Sequence, residues 1–76
     1  MPEKTYKLIE LVGVSDRGVD QAVKNAIARA TKTVRNLDWF EVTEIRGVIE
    51  SNKVTRFQVT LKVGFRILDD KELGKD

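Results

Sequence analysis

The chain has 76 residues, with 14 Lys+Arg against 12 Asp+Glu, one Trp, one Tyr, three Phe, and neither Cys nor His. That length makes one domain, residues 1–76, small enough to bury only roughly 60% of its unfolded surface and to gain from association with further copies. The missing residues exclude a disulfide, a thiolate nucleophile, an imidazole base, a Cys/His zinc site and a Ser-His-Asp triad, and a net charge of +2 is too small to imply nucleic acid by itself. No run of ~18 apolar residues is present to cross a bilayer. The opening MPEKTYKLIE lacks the apolar stretch of a secretion signal, so the expected compartment is the cytoplasm.

Thr5–Val14 (TYKLIELVGV) is rich in apolar and β-branched residues and reads as a strand. Ser15 and Asp16 offer N-cap oxygens for a helix. The apolar positions Val19, Ala22, Val23, Ala26, Ile27, Ala30, Val34 and Leu37 then form one stripe, which predicts a helix running to about Asn36. Trp39–Ile49 (WFEVTEIRGVI) is again β-rich, and residues 50–53 form a polar turn. From Val54 to Phe65 the pattern alternates without a break: Phe57, Val59, Leu61, Val63 and Phe65 fall on one face, Arg56, Gln58, Thr60, Lys62 and Gly64 on the other. Residues 1–4 and the charged segment Leu68–Asp76 read as loose termini.

The order is therefore β-α-β-β. A β-α-β crossover joins parallel strands and the tight turn makes the last two antiparallel, so the last strand belongs in the middle. Centring the hairpin on residues 51 and 52 pairs Phe40 with Val63 and Val42 with Leu61 beneath the helix. On the far face it pairs Trp39 with Gly64, Glu41 with Lys62, Thr43 with Thr60 and Ile45 with Gln58, with an opposite-charge pair in support. The predicted helix reaches about 30 Å and the last strand about 45 Å. One helix leaves part of such a sheet bare, which predicts an oligomer.

Trp39 is the sharpest functional signal. It opens a strand on the face away from the helix, opposite a Gly that leaves space. An indole with a free flat surface stacks on planar ligands, worth roughly 1–3 kcal/mol by analogy with base stacking; filling an oligomer interface is the plainer use. Gln58 shares that face, and its amide suits a heterocycle edge with a carbonyl beside an N–H, although simple solvation also accounts for it. Arg46 and Arg66 are candidate phosphate or carboxylate ligands, against the plainer roles of solvation or subunit ion pairing. Glu44, placed on the apolar face, is a candidate partner for one of them across subunits. Glu41 and Glu44 are expected on opposite faces, which argues against a carboxylate pair for acid/base work. The helix is read as carrying Lys24, Arg29, Lys32 and Arg35 against Asp20, a face for RNA or phosphate, or merely a solvated one that complements the helix dipole.

LVGVS after the first strand, AIARA in the helix, and LDWFEV, IRG, FQV and VGFR in that order closely resemble the dodecins, small flavin-binding proteins that form hollow twelve-subunit shells. The match runs from about Tyr6 to Ile67. The resemblance implies an α+β subunit whose three-stranded antiparallel sheet wraps around one helix, assembled as a homododecamer with flavins held in pairs between subunits. It implies that Trp39 stacks on the flavin ring, that Gln58 hydrogen-bonds its pyrimidine edge, and that Arg46 and Arg66 meet the phosphate of flavin mononucleotide (FMN). Some bacterial members also bind coenzyme A, an expectation that no residue here is assigned to carry. Val14 stands where Thr is common in the family, and the tail is longer and more charged. The expected function is noncatalytic storage, buffering and photoprotection of FMN or riboflavin. The alternative is a small basic oligomer that stacks nucleic-acid bases on Trp39; a cofactor-dependent enzyme is disfavoured by the lack of acid/base groups near it.

Overall fold

A computed structural model of the chain describes residues 3–68; the terminal readings for residues 1–2 and 69–76 fall outside the described residues. Four elements follow in order: β1 (Thr5–Ser15), α1 (Val19–Ala30), β2 (Leu37–Glu50) and β3 (Lys53–Ile67). The sheet order is β1-β3-β2, with β3 antiparallel to both neighbours. The alternating strand does take the centre. Ser51 and Asn52, at φ 52° and 66°, form the left-handed pair of a two-residue hairpin turn.

Val59, Leu61 and Val63 of β3 are buried beneath Ala22, Val23 and Ala26 of the helix. Small helix residues let the two layers approach closely. Gly13 of β1 takes the approach to its limit, because a Cβ there would collide with the main-chain carbonyl of Ala22. The expected caps do not form: Gly18 is the N-cap without a side-chain bond, while the buried Ser15 hydroxyl accepts the Arg17 N–H at 2.9 Å.

The helix is also shorter than its apolar stripe, at 12 residues. At Thr31 the hydroxyl donates back to the Ala28 carbonyl at 2.9 Å, and the N–H groups of Lys32 and Thr33 bond to carbonyls only three residues back. Crowded β-branched side chains at Thr31, Thr33 and Val34 favour that tightening. Asn36 then adopts φ 65° and its carbonyl accepts the Arg66 N–H at 3.1 Å, turning the chain into β2. Leu37 still packs against the core, but from the strand. Lys32 and Arg35 consequently lie beyond the helix.

Register holds for Trp39–Gly64, Phe40–Val63, Glu41–Lys62 and Val42–Leu61, and then shifts at a bulge between Val42 and Glu44. Glu44 pairs with Thr60, Ile45 with Val59 and Arg46 with Gln58. The extra residue, Thr43, donates its hydroxyl to the Thr60 carbonyl at 3.3 Å. Every side chain from Glu44 to Val48 therefore lies on the face opposite to the one that simple alternation assigns.

The shape is elongated, 60 × 20 × 14 Å. Its radius of gyration of 16.1 Å exceeds the about 11 Å of a compact domain this size. A helix of ~18 Å lies on a strand of ~50 Å. Helix α1 packs on β1 and β3 but scarcely touches β2, whose Phe40, Val42 and Ile45 are exposed on the helix side. This overhang is larger than the sequence suggests.

Candidate functional site

The face of the sheet turned away from the helix carries Tyr6, Leu8, Val12 and Val14 from β1, Gln58, Thr60, Lys62, Gly64 and Arg66 from β3, and Trp39, Glu41, Glu44 and Arg46 from β2. No described element of the subunit covers it. Tyr6, Leu8, Val12, Val14 and Trp39 are exposed there. Apolar side chains left bare on both sides of a three-stranded sheet require another surface against them.

One end of this face is built around Trp39. Its indole lies directly over Gly64, so closely that a Cβ on Gly64 would sit 2.8 Å from the indole Nε1. The glycine is thus the floor on which the ring rests. Tyr6 leans against the same indole, with ring centroids 6.5 Å apart and planes at 54°, within the range of favourable tilted aromatic pairs. The Tyr6 hydroxyl donates to Oδ2 of Asp38 at 2.8 Å, a bond reaching from one edge strand to the other across β3. That bond raises the phenol pKa above its ordinary value; desolvation and the Asp38 charge act the same way, and Arg66 opposes them. Arg66 pairs with Tyr6 in the register and makes further interactions within the subunit.

The other end carries Gln58 and, because of the bulge, Arg46 directly opposite it. Gln58 is half-buried and Arg46 exposed. The structure thus brings the four sequence-predicted residues onto one face in two groups, Trp39 with Arg66 and Gln58 with Arg46. The groups are separated by the six residues from Gln58 to Gly64, about 20 Å along the strand. No single flat ring touches both in one subunit.

The bulge corrects two further readings. Ile45 belongs to the helix side, not the far face, and Glu44 belongs to the far face, not the apolar one. Glu41 and Glu44 therefore share a side after all, but both are exposed, with Lys62 opposite Glu41. Among the described residues no group of three or more His, Cys, Asp or Glu is placed to hold a metal ion. Tyr6 and Asp38 were missed because the sequence-derived register paired only β2 with β3. Extending it to β1 places Tyr6 beside Arg66, and so beside Trp39.

These features define a class: a β-α-β-β subunit too open to be self-sufficient, with one indole displayed flat on an uncovered sheet. The dodecin family model matches residues 5–68. A dodecin of Thermus thermophilus is 56% identical over 64 residues, covering 84% of this chain and 93% of that protein. Among solved structures, dodecin from Streptomyces coelicolor superposes with a TM-score of 0.85 at 55% identity, covering 91% of this chain and 99% of that one. The tt0972 protein from Thermus thermophilus gives a TM-score of 0.84 at 54% identity, covering 88% and 98%. The chain belongs to the dodecin family. The expected fold and strand arrangement are those of these structures, and no described helix is long and apolar enough to cross a membrane.

Proposed function

We propose that this dodecin is a noncatalytic flavin-binding protein that stores, buffers and photoprotects FMN or riboflavin within a closed homo-oligomer of twelve subunits. The observation that carries the reading is the placement of Trp39, whose indole lies over Gly64 on an uncovered face with its outer surface free to stack. A planar, electron-poor ring fits that surface and leaves its polar edge for Gln58. The gap of about 20 Å between the two groups supports a site shared between subunits, with Trp39 from one and Gln58 from another. Arg46 and Arg66 share that face and carry the bidentate guanidinium that suits a phosphate on the ligand's tail. Bare apolar groups on both sides of the sheet support closure by further copies.

The stacked indole is also an electron donor, so light absorbed by the ring ends in rapid charge transfer and return instead of in photochemistry. Riboflavin added in the dark is expected to quench indole and flavin emission together, both saturating at one stoichiometry. Native mass spectrometry reads the copy number and the bound mass in one measurement. A folded monomer at micromolar concentration overturns the assembly. Unchanged emission at saturating riboflavin overturns the ligand.

A further inference from the structure

The chain has one Trp and one Tyr, and the structure brings them together. The ring centroids of Tyr6 and Trp39 lie 6.5 Å apart, and the Tyr6 hydroxyl is hydrogen-bonded at 2.8 Å to the carboxylate of Asp38. Tyrosine is the side chain, besides tryptophan, that most readily gives up one electron, but a phenol does so easily only when its proton leaves at the same time. It therefore needs a base already in place. Asp38 is positioned as that base. The phenol holds its proton at neutral pH, and the bond to Asp38 raises its pKa further.

We propose that Tyr6, with Asp38 as proton acceptor, is a relay that refills an electron hole on Trp39. The Trp39 radical cation takes one electron from Tyr6 while the phenolic proton passes along the hydrogen bond to Oδ2 of Asp38. The products are a neutral indole, a neutral phenoxyl radical and a protonated carboxyl, so charge and protons balance. When the acceptor that took the first electron returns it to the phenoxyl, Asp38 returns the proton and all three groups are restored. The relay rests on the flavin reading for its natural oxidant, a light-excited flavin stacked on Trp39. It moves the hole one side chain further from the reduced ring. The plainer role of the Tyr6–Asp38 bond, a strut between the two edge strands, involves no such transfer.

The test needs no flavin. Azide radicals generated by pulse radiolysis oxidise indole much faster than phenol near neutral pH, so in the full-length protein the hole falls first and mainly on Trp39. The indolyl absorption is expected to decay as the phenoxyl absorption rises, at one first-order rate independent of protein concentration. Tyr6→Phe keeps the ring and should abolish the phenoxyl signal while prolonging the indolyl one. Asp38→Asn should slow the transfer roughly 10²-fold, the low end of what a positioned base contributes. An indolyl lifetime equal in the parent and in folded Tyr6→Phe overturns the relay, as does an unchanged transfer rate in Asp38→Asn. Riboflavin titration of the same parent sample separates the two proposals: transfer without binding removes only the flavin reading, and binding without transfer removes only the relay.

Discussion

The two ends of the open face each follow an irregularity in β2 but present different chemistry. At the Trp39 end, a register shift between Leu37 and Trp39 leaves Asp38 out of the ladder and Trp39 paired with Gly64, and the Tyr6–Asp38 bond spans the sheet beside the indole. At the Gln58 end, Arg46 stands opposite the amide only because Thr43 is extruded from the ladder. The first end is aromatic and tied across the sheet by a side-chain bond, the second an amide facing a guanidinium. Neither is a complete site for a ring that needs a flat surface and an edge partner together. A subunit with two half-sites about 20 Å apart makes sense when copies bring unlike halves together.

The strongest way to break this picture is at the aromatic end. Trp39→Ala should weaken riboflavin by ~1–3 kcal/mol per stacked contact, and by more where two symmetry-related indoles enclose the ligand. Trp39→Phe should keep part of the affinity but quench less, phenyl being a poorer electron donor. Gly64→Ala tests the floor with the indole retained: the new Cβ displaces the ring, so affinity should fall although Trp39 is present. Each variant is sized before titration. Unchanged affinity in an intact Trp39→Ala oligomer ends the stacking reading.

The polar end should matter less. Gln58→Ala is expected to cost roughly 1–2 kcal/mol, since edge hydrogen bonds are lost while stacking stays. It should also blunt discrimination between flavins and other flat heterocycles. Dissociating Trp39→Ala and Gln58→Ala oligomers and reassembling them together tests the sharing of halves. With unlike halves drawn from different subunits, about a quarter of randomly mixed sites regain both residues. No recovery of affinity on mixing would place both residues of each site in one subunit and contradict the separation along β3.

The arginines divide by ligand. Arg46→Ala should weaken FMN by about 1 kcal/mol more than riboflavin, a difference that added salt shrinks, as expected of an exposed cation. Arg66→Ala should show the same contrast with a larger loss common to both ligands, because Arg66 also interacts within the subunit beside Tyr6. Equal losses for the two ligands in both variants would assign these side chains to structure.

How much of this was legible follows the strength of the local pattern. Strand β3 alternates without interruption, and its central position, the hairpin turn and the Trp39–Gly64 pairing all follow from it. The bulge was not legible, since Thr43 looks like any β-branched strand residue and its extrusion depends on neighbours in space. That single residue decides whether Arg46 or Ile45 faces Gln58. The apolar stripe overstates the helix because Val34 and Leu37 continue it, yet Leu37 reaches the core as part of β2. Hydrophobic period reports what is buried; it does not report which backbone delivers it. Trp39 stood out as the only indole, whereas Tyr6 carried no mark of its own until β1 was laid beside β3.

The smallest expected effect is a titration that sharpens the description of the aromatic end. Tyr6 has its pKa raised above the ordinary 10.0, first by the hydrogen bond to Asp38, then by desolvation and by the Asp38 charge, with Arg66 pulling the other way. A folded value above the unfolded one means that the bond's contribution is fully present below the unfolded pKa. It is lost as pH rises through the folded value, when the phenolate can no longer donate and meets the Asp38 carboxylate as a like charge. At neutral pH the Tyr6–Asp38 bond is thus intact, and strongly alkaline solution opens it. Because Tyr6 is the only tyrosine, its ultraviolet phenolate band reports this one group. Asp38→Asn should move the midpoint down towards 10.0, and Arg66→Ala should move it further up. A midpoint that neither substitution shifts would mean that Tyr6 does not hold its bond to Asp38 in solution, and the aromatic end would lose the constraint that distinguishes it from the polar one.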